Sequence, residues 1–151
     1  MAPHTIADLL DAARSSLTRL TPEQTLAAMG PGTELIDIRS ELQRARDGVI
    51  PGARFIARNV FEWRCDPASP WRDLEIACPG NRLIVICDEG YQSSLAAAML
   101  VLFGFENPGD VIGGFQAWRT AGLPVQSAEA ERGSAAAGPD DRGNGRNTLE
   151  E

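Results

Sequence analysis

Histidine, paired cysteines and long apolar runs are all scarce in this chain of 151 residues, and each scarcity excludes a class of protein. The single histidine, His4, has no partner at metal-ligand spacing, so we expect no metal site and no Cys-His or Ser-His catalytic pair. Three cysteines without a Cys-x-x-Cys pair indicate free thiols instead of a disulfide framework or a zinc site. The sequence predicts no cofactor.

Basic residues are also in the minority. The formal net charge is −7, which would repel a polyanion, so we expect no nucleic-acid partner. No run of 18 apolar residues is present, and residues 1–8 lack the basic start and apolar centre of a secretory signal. We therefore expect a cytoplasmic protein without a membrane contact.

What the chain does contain is enough apolar sequence for one core, with 43% hydrophobic residues. Apolar residues from Ile6 to Leu20 recur at helical spacing, which predicts an N-terminal helical extension over residues 1–20, packed on the domain. Residues 127–151 contain one large apolar side chain, Leu149, and we predict a disordered tail there.

Between these ends, apolar runs alternate with capped helical segments. Thr21 and Ser40 are predicted helix caps, and a fully apolar helix is predicted to start at Ser93 or Ser94 and end at Gly104. The predicted strands are Glu34–Arg39, Ala53–Ala57, Arg82–Cys87 and Asp110–Ile112, and residues 65–81 read as an irregular connection. This alternation predicts an α/β fold, with a mostly parallel central sheet and helices on both faces.

Cys87 ends the most apolar predicted strand, where ligands of such sheets bind. A strand, a short loop that opens with cysteine and then a helix would surround the sulfur with backbone N–H groups, which favour a thiolate. Gly90 fits such a loop because glycine tolerates unusual dihedral angles. The alternative is a buried cysteine that acts only as a small apolar residue.

Four segments of the chain resemble the rhodanese family, in the family's order and over Pro22 to Gln126. They are the strand Leu35–Arg39, the turn Gly48–Ala53, the stretch Ile84–Ser94 around Cys87 and the final stretch Val111–Pro124. The resemblance implies a rhodanese-like domain over residues 21–126, folded as a three-layer sandwich. It also implies a sulfurtransferase of the thiosulfate sulfurtransferase class, in which Cys87 takes a sulfane sulfur from a small donor and passes it to a thiol or cyanide.

In that family Cys87 would be the catalytic residue, and the pocket wall would consist of Asp88, Glu89, Gly90, Tyr91, Gln92 and Ser93. Asp37 and Arg39 are candidates for holding this loop in shape. Related phosphatases use Cys-x5-Arg, whereas here the sixth residue after Cys87 is Ser93, so a phosphatase lacks its main anion ligand. Many single-domain rhodaneses have arginine where this chain has Gln92, which brings no charge.

Three questions stay open at this stage. Asp88 and Glu89 either point to solvent or face the pocket, and in the second case a thiol-bearing, cationic or protein-bound partner is favoured over thiosulfate. Cys65 or Cys78 would resolve a Cys87 persulfide only within disulfide reach. The alternative function is a rhodanese-like module that binds a protein or senses persulfide without turnover.

Overall fold

The computed structural model describes residues 1–136, and its centre is a sheet of parallel strands. The strands are β1 (Thr18–Leu20), β2 (Thr33–Asp37), β3 (Arg54–Phe55), β4 (Arg82–Ile86) and β5 (Gly109–Val111). They lie in the order β1-β5-β4-β2-β3, and every pairing is parallel. The predicted α/β fold class is confirmed.

Helices cover both faces of this sheet. They are α1 (Ile6–Ser15), α2 (Pro22–Ala28), α3 (Glu41–Asp47), α4 (Phe61–Cys65), α5 (Gln92–Leu102), α6 (Gly114–Thr120) and α7 (Ala128–Ala136), with a 3-10 helix at Arg58–Val60. Within residues 1–136, no helix is both long and apolar enough to cross a membrane.

Strand β4 shows why both faces need cover. Leu83 and Val85 pack into one apolar cluster together with residues of α4 and α5. Ile84 and Ile86 pack into a second cluster on the opposite face, with residues of α6. Successive side chains of a strand point to opposite faces, so a continuous apolar run is stable only in a central strand covered on both sides. The result is a three-layer sandwich with β4 in its middle.

The N-terminal segment differs from the predicted single helix. Helix α1 ends at Ser15, and β1 then pairs with β5 at one edge of the sheet, with Thr18 opposite Gly109 and Leu20 opposite Val111. The helical spacing of Leu17 and Leu20 therefore gave the wrong secondary structure, because pairing with a distant strand outweighs local propensity. The predicted extension over residues 1–20 contributes a strand to the domain's own sheet.

Three predicted helix starts have different outcomes. Thr21 and Ser40 cap α2 and α3 as predicted, each accepting a hydrogen bond from the backbone N–H three residues later. Ser93 and Ser94 do not cap α5, which begins at Gln92; both are buried inside its first turn and donate to Asp110. Helix α5 was also predicted to be buried on every side because it is fully apolar. Its last residue, Leu102, is nevertheless 77% exposed.

Helix α7 lies in the segment for which the sequence predicts disorder. Gln126 and Val49 exchange two backbone hydrogen bonds of 2.8 Å just before this helix. Ser127 Oγ accepts a hydrogen bond from Ala130 N–H, and Glu131 forms an ion pair with Arg44. These polar contacts order residues that bury little apolar surface, which composition alone does not reveal. The rest of the predicted tail, residues 137–151, lies outside the described residues.

Candidate active site

Cys87 follows β4 directly, at the carboxyl end of the central strand. The connection to α5 is the short loop from Cys87 to Tyr91. Two backbone hydrogen bonds attach it to the start of α6: Phe115 N–H donates to the Cys87 carbonyl (2.8 Å) and Gln116 N–H to the Asp88 carbonyl (3.1 Å). The strand end of the loop is therefore fixed to the start of α6.

The sulfur of Cys87 is surrounded by backbone donors. Gly90 N–H and Ser93 N–H point to Sγ, with nitrogen–sulfur distances of 3.2 and 3.3 Å. Cys87 is only 6% exposed, yet it lines a pocket. Converging N–H groups at a helix N-terminus stabilise negative charge, so this geometry suits an anionic sulfur that attacks or leaves.

Glycine is required in this loop for steric reasons. Gly90 has φ of +87°, and a Cβ atom there would lie 2.8 Å from the backbone nitrogen of Gly113. A Cβ atom on Gly114 would lie 2.6 Å from the carbonyl oxygens of both Cys87 and Asp88. The Cys87 loop and the turn that precedes α6 consequently pack backbone against backbone.

The pocket above Cys87 has a volume of about 710 Å³. It opens between the Cys87 loop, the start of α3 and the segment from β3 to the 3-10 helix. Its lining residues are Ile38, Arg39, Ser40, Glu41, Gln43, Phe55, Ala57, Arg58, Asn59, Cys87, Asp88, Glu89, Tyr91 and Gln92. Of the predicted pocket wall, Asp88, Glu89, Tyr91 and Gln92 line this space, whereas Gly90 and Ser93 are buried and contribute their N–H groups.

The unpaired charges of the pocket lining are negative. Glu41, Asp88 and Glu89 have no ion-pair partner in the described part of the chain, although Asp88 Oδ1 accepts a hydrogen bond from Gln116 Nε2 (2.9 Å). The two lining arginines are neutralised locally: Arg39 pairs with Asp37, and Arg58 pairs with Glu62. These three carboxylates would each repel an incoming dianion.

Asp37 and Arg39 form a buried ion pair at the end of β2. The guanidinium of Arg39 donates to both carboxylate oxygens, at 3.1 and 2.9 Å, and to the Gly48 carbonyl at 2.8 Å. It stacks on the Phe115 ring, 3.7 Å from the centroid. In the described structure neither residue hydrogen-bonds the Cys87 loop, so their link to it runs through Phe115, whose N–H donates to Cys87.

Direct support of the loop comes from residues that the sequence did not single out. Arg14 of α1 and Arg19 of β1 both donate to the Gly90 carbonyl, and Asp110 of β5 accepts from Arg19, Ser93 and Ser94. Asp110 begins an otherwise apolar predicted strand. Its charge could have predicted polar partners at this position, since buried carboxylates need them. The two arginines carried no such signal.

The other two cysteines have different surroundings. Cys65 is fully buried, and burial, followed by the carboxylates of Asp73 and Glu62, raises its pKa to about 12. Cys78 is exposed, and all three cysteines are free thiols. Within residues 1–136, no group of three or more His, Cys, Asp or Glu side chains is arranged to hold a metal ion.

A match to a family model agrees with the fold. The model described as a rhodanese-like domain matches residues 21–121. This chain belongs to the rhodanese-like domain family. The chain is 34% identical to the thiosulfate sulfurtransferase GlpE of Pseudomonas entomophila, over 76% of this chain and 95% of that protein. The Haemophilus influenzae (strain PittEE) protein of the same name is 33% identical over 75% of this chain and 98% of its own length.

Solved structures give the same result for the fold. A rhodanese-like domain from Anabaena sp. superimposes with a TM-score of 0.58 at 23% identity, over 90% of this chain and 95% of that one. A Rhodopseudomonas palustris protein, described as of unknown function and a possible tyrosine phosphatase, superimposes with a TM-score of 0.73 and is 30% identical. That alignment covers 83% of this chain and 97% of the other. With the curated relatives, these comparisons make the protein a rhodanese-type sulfurtransferase, a transferase built on a single rhodanese-like domain.

Proposed function

We propose that Cys87 is the residue that carries the transferred sulfur, as a persulfide. The observation that carries this proposal is the pair of N–H groups, from Gly90 and Ser93, that meet at Sγ beside a pocket. The other buried cysteine, Cys65, has a raised pKa and does not line this pocket. Asp88, Glu89, Tyr91 and Gln92 would form the wall that the substrate touches.

Two displacement steps at sulfur would complete one turnover. In the first, the Cys87 thiolate attacks the sulfane sulfur of the donor: a sulfur–sulfur bond forms, the donor's own bond to that sulfur breaks, and the leaving group departs with the electron pair. In the second, a thiolate or cyanide attacks the outer sulfur, and the Cys87 thiolate is released with its electron pair. The two N–H groups stabilise the anionic sulfur in both steps.

The charges of the pocket lining bear on the identity of the donor. The names of the relatives support thiosulfate as a donor that this protein accepts. Glu41, Asp88 and Glu89 line the pocket without ion-pair partners in the described residues, so they oppose a dianion. We therefore propose that a thiol persulfide of low negative charge reacts faster than thiosulfate, with a thiol or cyanide as acceptor.

The test is to load the protein with several donors and to measure its intact mass. We expect one added sulfur that cyanide or a thiol removes. Cys78→Ser should load normally, which controls for reaction at an exposed thiol, whereas Cys87→Ser should not load. Wild-type protein without a removable sulfur adduct, across thiosulfate and persulfide donors, would overturn the proposal.

A protein can also deliver or receive the sulfur. Glu41 and Glu89 are exposed at the mouth of the pocket, which suits a partner with a basic surface around its own reactive sulfur. If such a partner is used, transfer to it should slow as ionic strength rises, while transfer to a small neutral thiol should change little. Equal salt dependence for both acceptors would contradict this role.

We further propose that the protein works in the cytoplasm. Its three cysteines are free, and reactive thiols persist in reducing compartments. Cell fractionation that recovered the protein from an oxidising compartment would contradict this location.

A further inference from the structure

The back of the Cys87 loop is held by two arginines of the N-terminal segment. Arg14 Nη2 and Arg19 Nη2 donate to the Gly90 carbonyl, at 2.9 and 3.0 Å. Gly90 is also one of the two residues whose N–H points to Cys87 Sγ. The arginines therefore act on a residue that contacts the sulfur, although neither arginine lines the pocket.

The second donor to the sulfur is held by the same group of residues. The Asp110 carboxylate is fully buried and accepts four hydrogen bonds. Two come from Arg19 (3.0 and 3.3 Å), and two come from the hydroxyls of Ser93 (2.8 Å) and Ser94 (2.7 Å). Ser93 N–H is the other donor to Cys87 Sγ, so Asp110 fixes the helix turn that presents it.

Arg14 closes this network. Its Nε donates to Ser94 Oγ at 3.1 Å, while its Nη2 donates to Gly90, so one guanidinium joins the loop to the first turn of α5. The N–H groups that face the sulfur come from these same two segments. A planar guanidinium holds two acceptors in a fixed relation, which a single flexible contact does not achieve.

We propose that Arg14 and Arg19 are positioning residues for sulfur transfer, which set the direction of the Gly90 and Ser93 N–H groups at Cys87. The inference rests on the proposed function of Cys87. Both arginines precede residue 21, where the match to the family model begins. The segment before the matched domain is thus part of the sulfur site, beyond its role as a packed extension.

The two arginines differ in what else they support, and this difference selects the residue to test. Arg19 neutralises the buried Asp110, so its removal would also affect the fold. Arg14 forms no ion pair in the described structure, and its side-chain hydrogen bonds go only to Gly90 and Ser94. Its guanidinium also lies over the ring of Tyr91, 5.7 Å from the centroid, so its other contact is with the same loop. Its removal should disturb the loop and leave the remainder of the domain in place.

The experiment compares Arg14→Met with Arg14→Lys and Arg64→Met. Arg64 is the matched control because it also donates to a backbone carbonyl, that of Trp71, but lies outside the Cys87 loop and the pocket. We expect kcat for sulfur transfer to fall about tenfold in Arg14→Met, with the donor KM changed less than about twofold. Alkylation of Cys87 should slow by a similar factor. Arg14→Lys should recover only part of the rate, because one ammonium group does not hold both acceptors in a fixed relation, and Arg64→Met should match the wild type.

Wild-type kcat and wild-type Cys87 alkylation in Arg14→Met would overturn the proposal. An unfolded Arg14→Met protein would overturn it as well, because Arg14 would then support the fold as a whole. The proposed function fails separately: a wild-type protein that takes up no sulfur on Cys87 refutes that function, whatever the alkylation rates of the arginine variants.

Discussion

Cys65 and Cys87 lie in the same apolar cluster, and both are nearly excluded from solvent, yet their sulfur atoms meet opposite surroundings. Cys87 accepts two N–H hydrogen bonds and borders a pocket. Cys65 is the last residue of the short helix α4, near two carboxylates, and its pKa is raised to about 12. Burial alone therefore does not decide whether a cysteine is reactive. Backbone donors and access through a pocket decide it.

The largest expected contrast between the two thiols is their rate of alkylation in the folded protein. A pKa of about 12 leaves Cys65 with about one thiolate in 10⁵ molecules at pH 7, so it should stay unmodified. Cys87 should react at least about 10³-fold faster with a small alkylating reagent. Mapping of modified cysteines over time measures both rates. Equal rates would remove the distinction between the two sites.

Loss of the donor geometry should make Cys87 more similar to Cys65. Gly90→Ala places a Cβ atom 2.8 Å from Gly113 N, which the loop can relieve only by moving its N–H group. We expect sulfur transfer to fall about 100-fold, as on loss of an anion-stabilising donor. Gly122→Ala is the matched control, since Gly122 also has positive φ (+71°) but has nothing within 4 Å of the added atom.

Gly122→Ala should lower the free energy of unfolding by about 1 kcal/mol and leave the transfer rate unchanged. Gly90→Ala with the kinetics of the control would show that the Gly90 N–H group is not needed at the sulfur.

A smaller effect on the transfer rate is expected from the carboxylates that line the Cys87 pocket. Cys65 does not line this pocket. Glu89→Gln removes one unpaired carboxylate from the lining, so kcat/KM for thiosulfate should rise about threefold to tenfold at low ionic strength. The same change should have little effect with an uncharged persulfide donor. Glu23→Gln, at an exposed position of α2 outside the pocket lining, controls for net charge. Equal gains with both donors would contradict an electrostatic origin.

The last contrast between the two thiols concerns stability at alkaline pH. The pKa of Cys65 is about 12 when folded, against the ordinary value of 9.0, so between these values the unfolded chain has lost a proton that the folded chain retains. The contribution of the Cys65 thiol to the free energy of unfolding is therefore fully present below about pH 9. Above that pH it falls by at most about 1.4 kcal/mol per pH unit. Denaturant unfolding from pH 8 to pH 10.5 should show a shallower fall in Cys65→Ala. Parallel curves would refute the raised pKa.

Much of the fold could be predicted from local sequence. The apolar run Arg82–Cys87 identified the central strand, and Thr21 and Ser40 marked helix starts, because caps and strand periodicity depend on neighbours in the chain. Strand β1 was missed because its side chains continue the spacing of α1, while the partner that makes it a strand, β5, lies about 90 residues away.

The candidate site also combines features that neighbouring residues predict with contacts between residues far apart in the sequence. Cys87 and the loop glycine follow from a local motif, and the structure places Cys87 at the pocket and the Gly90 N–H at its sulfur. The support of the loop by Arg14 and Arg19 joins residues 76 and 71 positions apart, and local patterns do not predict such contacts. Ser93 or Ser94 was predicted as a cap because serine favours that position, but α5 begins at Gln92, and both hydroxyls donate to the buried Asp110.

The most direct test of the account is to locate the sulfur after reaction with a persulfide or thiosulfate donor. Peptide mapping by mass spectrometry should find one added sulfur on the peptide that contains Cys87, none on the peptide with Cys65, and its complete removal by cyanide. An adduct on Cys65 or Cys78 that persists in Cys87→Ser at wild-type yield would contradict the central claim that the Cys87 loop is the sulfur-carrying site.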